Sequence, residues 1–186
     1  PHSTRRRRPV GRRPHRHGRV LVVCRLPPGG ARALGARALA HGRHQALGAT
    51  VGHRGQAPRA DMIEAYKHAV EHMRTNEQLV KPGVSMKELT FGGHQLDPKY
   101  VARQYSCRFH GVGLCDEWPC IPYKEEFQDG ANDYVLEPGM CLCVEALVGE
   151  EGGDFCIKLE DQLIVTETGF ENITKFPYDP RLMGDS

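Results

Sequence analysis

The sequence predicts an α+β fold, an antiparallel sheet with helices on its outer face, preceded by an unstructured basic segment. Three observations carry this expectation. A helical periodicity starts at Asp61, two runs of strand composition flank a turn-like stretch near residue 150, and the composition changes abruptly at Asp61.

The change at Asp61 divides the chain into residues 1–60 and 61–186. Before Asp61 there is no Asp, Glu, Lys, Ile, Phe, Tyr, Trp, Met or Asn, and the charge comes from Arg alone, beginning with Arg5, Arg6, Arg7 and Arg8. From Asp61 onward 23 Asp and Glu stand against 11 Lys and Arg, so the overall net charge of +2 describes neither part. An Arg-rich arm suits phosphate neutralisation, but Lys and base-stacking aromatics are missing, which makes nucleic acid the lesser alternative. The missing residue types are largely those with A/T-rich codons. Residues 1–60 are therefore expected to be GC-rich DNA translated out of frame, which nucleotide sequence upstream of Asp61 would reveal.

Asp61 is placed as the N-cap of a first helix, with Met62, Ala65, Tyr66, Ala69, Val70 and Met73 recurring at helical spacing as far as Leu79 or Val80. Lys81-Pro82-Gly83 ends it. Ser85-Met86-Lys87-Glu88 has the form of a capping box for a second helix. Asp97-Pro98 is a turn, and Lys99 to Gln104 a helical turn leading to Tyr105. After His110 a loop is expected, with Trp118-Pro119 and Ile121-Pro122 breaking any regular element. Met140 to Val148 and Phe155 to Thr166 are expected to pair as a hairpin around Gly149 to Asp154, followed by Phe170 to Lys175.

No run of about 18 apolar residues occurs, so no membrane-spanning helix is expected. The short apolar stretch Val20 to Leu26 is interrupted by Arg25 and lacks a clean cleavage site, so the expected location is cytoplasmic. Seven Cys, six of them between Cys107 and Cys156, are an odd number in a chain long enough to do without disulfides, which predicts reduced thiols.

With a hairpin turn centred between Glu151 and Gly152, Cys143 faces Glu160 and Glu145 faces Lys158, all four on one side of the sheet. Glu145 and Glu160 are then diagonal neighbours roughly 7–8 Å apart. Two carboxylates at that range can converge on a cation, or on two cations about 3.5–4 Å apart. Spacing alone favours the plainer alternative, a Glu145–Lys158 ion pair with Glu160 solvated. Cys115, Cys120, Cys141 and Cys143 loosely match zinc-ligand spacing, but paired short knuckles are absent and buried free thiols are the better expectation.

The runs His110-Gly111-Val112-Gly113-Leu114, Leu136-Glu137-Pro138-Gly139-Met140, Val144-Glu145 and Ile157-Lys158-Leu159-Glu160-Asp161 resemble, in order and spacing, the pita-bread metallopeptidase family of Xaa-Pro aminopeptidases, prolidases and creatinase. Glu117 stands near the place of a second His of the peptidases, and Ala146 where they carry Pro. Cys115-Asp116-Glu117-Trp118-Pro119, Cys141 to Val148, Gly153-Asp154-Phe155 and Phe176-Pro177-Tyr178-Asp179-Pro180 resemble instead that family's dimethylsulfoniopropionate lyases of the DddP type.

This resemblance implies a curved pita-bread sheet truncated on its N-terminal side, and a lyase releasing dimethyl sulfide and acrylate. It implies a divalent, binuclear metal site of iron, manganese, cobalt or zinc, with His110, Glu145 and Glu160 as ligands. It further implies Asp116 as the base, Tyr105 as an active-site residue, a small-molecule substrate and a homodimer. Trp118 and Tyr123 are expected to hold the sulfonium cation over their rings. The family's two Asp ligands lie upstream of the conserved His, and no Asp precedes Asp61, so the chain as written is expected to be inactive. A Xaa-Pro peptidase is the alternative function.

Overall fold

The computed structural model describes residues 22–25 (backbone only), 57–112, 119–130 and 134–184. In chain order the elements are β1 (Val22–Arg25), α1 (Ala60–Glu77), α2 (Met86–Gly92), α3 (Pro98–Val101), β2 (Phe109–Gly111), β3 (Cys120–Ile121), a 3-10 turn (Lys124–Glu126), β4 (Cys141–Val148), β5 (Phe155–Val165), β6 (Phe170–Asn172) and α4 (Pro180–Met183). The six strands form one sheet in the order β1-β5-β4-β2-β3, with β6 also on β5, and every pairing is antiparallel.

The long helix lies across one face of this sheet. Ala65, Tyr66, Ala69, Val70 and Met73 of α1 are buried against Leu142, Val144, Ala146 and Val148 of β4 and Ile157, Leu159 and Leu163 of β5. Full burial of each large apolar side chain contributes about 1.5–3 kcal/mol. Polar groups also tie the layers together: Asn172 of β6 donates to both Glu77 of α1 and Asp161 of β5, at 3.2 Å each. The tail returns to the same helix, where Tyr66 Oη accepts from the Asp179 amide at 2.9 Å.

Several expected boundaries move for physical reasons. Helix α1 starts at Ala60 with Arg59 in the N-cap position, and Asp61 lies in the first turn, engaged by the Arg59 guanidinium. The Ser85–Glu88 capping box forms as expected, with Ser85 Oγ accepting from Glu88 N at 3.1 Å and Glu88 Oε2 accepting from Ser85 N at 2.7 Å. Asp97 caps α3, with Pro98 in its first turn. The loop expected after His110 instead holds β3, between two prolines. This edge pairing uses carbonyls, which proline retains: Arg108 N donates to Ile121 O and Gly111 N to Pro119 O, both at 2.9 Å.

Strand β1 lies in the segment expected to lack regular structure. A short valine-containing run needs only an unpaired edge to become a strand, and β5 provides one. Among the described residues no helix is long and apolar enough to cross a membrane. The five described cysteines of residues 57–184 all carry free thiols, as expected.

Candidate metal centre

The face of the β-sheet turned away from α1 carries His110, Glu145, Lys158 and Glu160, whereas Asp161 lies on the α1 side with Glu77 and Asn172. The hairpin turn falls where the sequence placed it, with Gly153 N donating to Glu150 O at 3.1 Å and Gly152 at φ +75°. The ladder, however, resumes two residues later than expected. Phe155 and Cys156 pair with β1, Asp154 is held by Arg59 at 2.8 Å, and Val148 faces Ile157. A slip of two preserves the facing of every side chain. Its consequence is that Glu145 lies directly opposite Glu160, where a diagonal relation was expected, and Cys143 lies opposite Gln162.

Strand β2 supplies the imidazole. His110 is directly opposite Cys143 of β4, and its Nε2 lies 3.7 Å from Glu145 Oε1 and 4.0 Å from Glu160 Oε1. Its Nδ1 is 2.9 Å from Gly111 O, a group that can only accept, so Nδ1 carries the proton and donates. In the neutral ring Nε2 is then a lone pair aimed at two carboxylates, themselves directly opposite each other. Three electron-rich groups in one place repel unless a cation lies between them. That donor set fits a divalent metal, with the imidazole held in its ligating tautomer by the carbonyl behind it.

A cation of the chain's own also serves this face. Lys158 Nζ contacts Glu145 Oε2, lies 3.7 Å from Glu160 Oε2, and sits over the Tyr105 ring at 4.2 Å from its centroid. The plainer expectation of a Glu145–Lys158 pair is thus met by a diagonal contact. Glu160 is more than solvated, since it accepts from Cys143 Sγ at 2.8 Å. Burial and that neighbouring carboxylate push the Cys143 thiol up. Cys107 Sγ lies 3.5 Å from Glu145 Oε1.

His110, Glu145, Glu160 and Tyr105 are therefore brought together. Asp116 and Trp118 lie outside the described residues. Tyr123 is not brought to this face, contrary to expectation. It is 1% exposed on the helix side, its hydroxyl 3.3 Å from His72 Nε2, and its ring already carries the Arg108 guanidinium at 4.5 Å. The expectation that it holds a substrate cation is corrected accordingly. Arg108, missed in the sequence, is fully buried and donates to the carbonyls of Leu89 and Thr90 at 3.2 and 2.8 Å. A side chain at Gly93 would collide with it at 2.1 Å. Lys158 was legible as the ion-pair partner of Glu145, and Cys143 as a residue on the face of the two Glu whose spacing from other cysteines only loosely matched zinc ligands, while Cys107 gave no signal beyond its alternation with Tyr105.

The sequence matches the model of metallopeptidase family M24 over residues 14–167, and the chain belongs to that metal-dependent family. The match includes β1 and so reaches into the segment that composition set apart. The chain is 60% identical over 129 residues to the dimethylsulfoniopropionate lyase DddP of Roseobacter denitrificans, covering 69% of this chain and 29% of that protein. It is 56% identical over 128 residues to the dimethylsulfoniopropionate lyase DddP of Roseovarius nubinhibens, with the same coverage, 69% and 29%. The chain thus spans under a third of the length of these curated relatives. Among solved structures, the Xaa-Pro dipeptidase from Bacillus anthracis matches with a TM-score of 0.51 and 27% identity, over 66% of this chain and 33% of that one. The sheet with its outer helices is the pita-bread arrangement of the family.

Proposed function

We propose that the chain carries the C-terminal share of the active site of a metal-dependent lyase that cleaves dimethylsulfoniopropionate into dimethyl sulfide and acrylate. The observation that carries this reading is the convergence of His110, Glu145 and Glu160 on one face of the sheet, in a chain so similar to two lyases of that name. These three residues would hold the metal, which when bound supplies Lewis acidity toward the substrate carboxylate. The mixed imidazole and carboxylate donors suit iron, manganese, cobalt or zinc, and a binuclear site is part of the reading.

Asp116 takes the proton from the carbon beside the carboxylate. The electron pair it leaves forms the acrylate double bond, and the carbon–sulfur pair departs with dimethyl sulfide. Tyr105, steadied against Lys158, orients the substrate. Trp118 faces the sulfonium, a contact of about 0.5–2 kcal/mol. Free thiols at the described cysteines support a cytoplasmic location, and the enzyme acts as a homodimer.

The test is a chimera in which this chain's matching residues replace the corresponding 129 of the Roseobacter denitrificans lyase. It should release dimethyl sulfide, and its His110→Ala form should not. The 186-residue chain alone is expected to be inactive. A folded, metal-loaded chimera that hydrolyses Xaa-Pro dipeptides and leaves dimethylsulfoniopropionate intact would replace this reading with the peptidase one.

A further inference from the structure

We propose that Cys143 is a sulfur ligand of this centre, giving the chain a His110–Cys143–Glu160 site for borderline and soft divalent cations such as cobalt, zinc and cadmium. The proposal rests on the metal-centre reading above and adds a donor to it. The ligand atoms of these three residues all lie within 4.8 Å of one another. His110 and Cys143 are direct cross-strand neighbours, so their side chains leave the sheet side by side.

The surroundings of Cys143 separate a ligand from a filler. A cysteine that only fills space has apolar neighbours. Cys143 is fully buried, yet its sulfur touches a carboxylate at 2.8 Å and stands beside an imidazole. It lies on the face of β4 opposite to Leu142, Val144, Ala146 and Val148, which pack in the core with α1. With metal–sulfur bonds of about 2.3 Å and metal–nitrogen or –oxygen bonds of about 2.0–2.2 Å, ligand atoms around a tetrahedral ion lie roughly 3–4 Å apart. The Cys143–Glu160 and His110–Glu160 separations, 2.8 and 4.0 Å, bracket that range. Cys107 and Cys120 lie outside the mutually close set, although Cys120 flanks His110 on its other side. On binding, the sulfur lone pair forms the bond to the cation and the thiol proton passes to solvent, one proton per ion.

Cobalt(II) titration of the purified 186-residue chain under anaerobic conditions tests this. The expected spectrum combines visible d–d bands with a near-ultraviolet thiolate-to-cobalt charge-transfer band. Cys143→Ser should lose the charge-transfer band and keep the visible ones, while Cys107→Ser keeps both. Visible bands without charge transfer in the unaltered chain, or charge transfer that survives in Cys143→Ser, overturn the Cys143 assignment and leave the metal centre standing. No cobalt spectrum at all would overturn both. X-ray absorption of the zinc-loaded, unaltered chain needs no variant to fold. One sulfur at about 2.3 Å is expected, and a shell of nitrogen and oxygen alone overturns the proposal.

Discussion

The two faces of the β4–β5 ribbon are made of alternate residues of the same strands, yet they are held by different forces. Toward α1 stand Leu142, Val144, Ala146, Val148, Ile157, Leu159 and Leu163, each at most 2% exposed. Away from it stand Cys143, Glu145, Lys158 and Glu160, joined by the Lys158 ion pairs and the Cys143–Glu160 hydrogen bond, with His110 Nε2 at 3.7 and 4.0 Å from the two carboxylates. The apolar face tolerates small changes in shape at a graded cost, whereas the polar face is balanced only while its cation and carboxylates are all present. Parity of register keeps the two apart, which is why a slip of two residues left the division intact.

Glu145→Ala attacks the polar face and should have the largest effect. It leaves Lys158 buried beside a single, more distant carboxylate, an expected loss of about 3–5 kcal/mol in urea unfolding, together with loss of metal binding by equilibrium dialysis. Leu159→Ala attacks the apolar face and should cost about 2–5 kcal/mol, with metal affinity of the folded protein unchanged. An equal loss of metal binding in both variants would erase the distinction between the faces.

A smaller effect is expected from acid, acting through the helix side. His72 is buried, with Arg108, His94 and His68 around it, and burial first, then these neighbours, hold its pKa well below 6.5. The folded chain keeps His72 neutral while the unfolded chain protonates it near 6.5, so stability is whole above that pH and falls below it. The urea midpoint should drop between pH 7.5 and 5.5, and His72→Gln should flatten the drop. A midpoint equally pH-dependent in both proteins would exclude His72 as the source. Smallest, Ser85→Ala removes the α2 cap for about 1 kcal/mol without touching either face.

The parts of this architecture set by local rules were legible in the sequence. Helical spacing placed α1 within a few residues, Ser85 and Glu88 announced their cap, and alternation alone put Glu145, Glu160, Cys143 and Lys158 on one face. What escaped depended on distant partners. The offset of the β4–β5 ladder follows from β1 and from Arg59, neither of which the hairpin sequence contains. Strand β3 needed the knowledge that its neighbours would ask for carbonyls, where its prolines offer no N–H. Tyr123 carries an aromatic face suited to a cation, but the cation it meets is Arg108, from a segment 15 residues earlier that no periodicity linked to it.

Strand β5 is flanked unevenly, and this bears on how the centre responds to an arriving ligand. Its outer edge is paired with β1 as far as Lys158 and with β6 from Leu163, so among the described residues Leu159 to Asp161 have a neighbouring strand only on the β4 side. Glu145 has a β4–β5 partner on one flank, and its amide donates to Arg108 O at 3.1 Å on the other. Glu145 therefore stands between two backbone neighbours, β5 on one side and β2 on the other. Under the proposed metal reading, Glu145 is the carboxylate whose backbone has the least room to shift when an ion arrives.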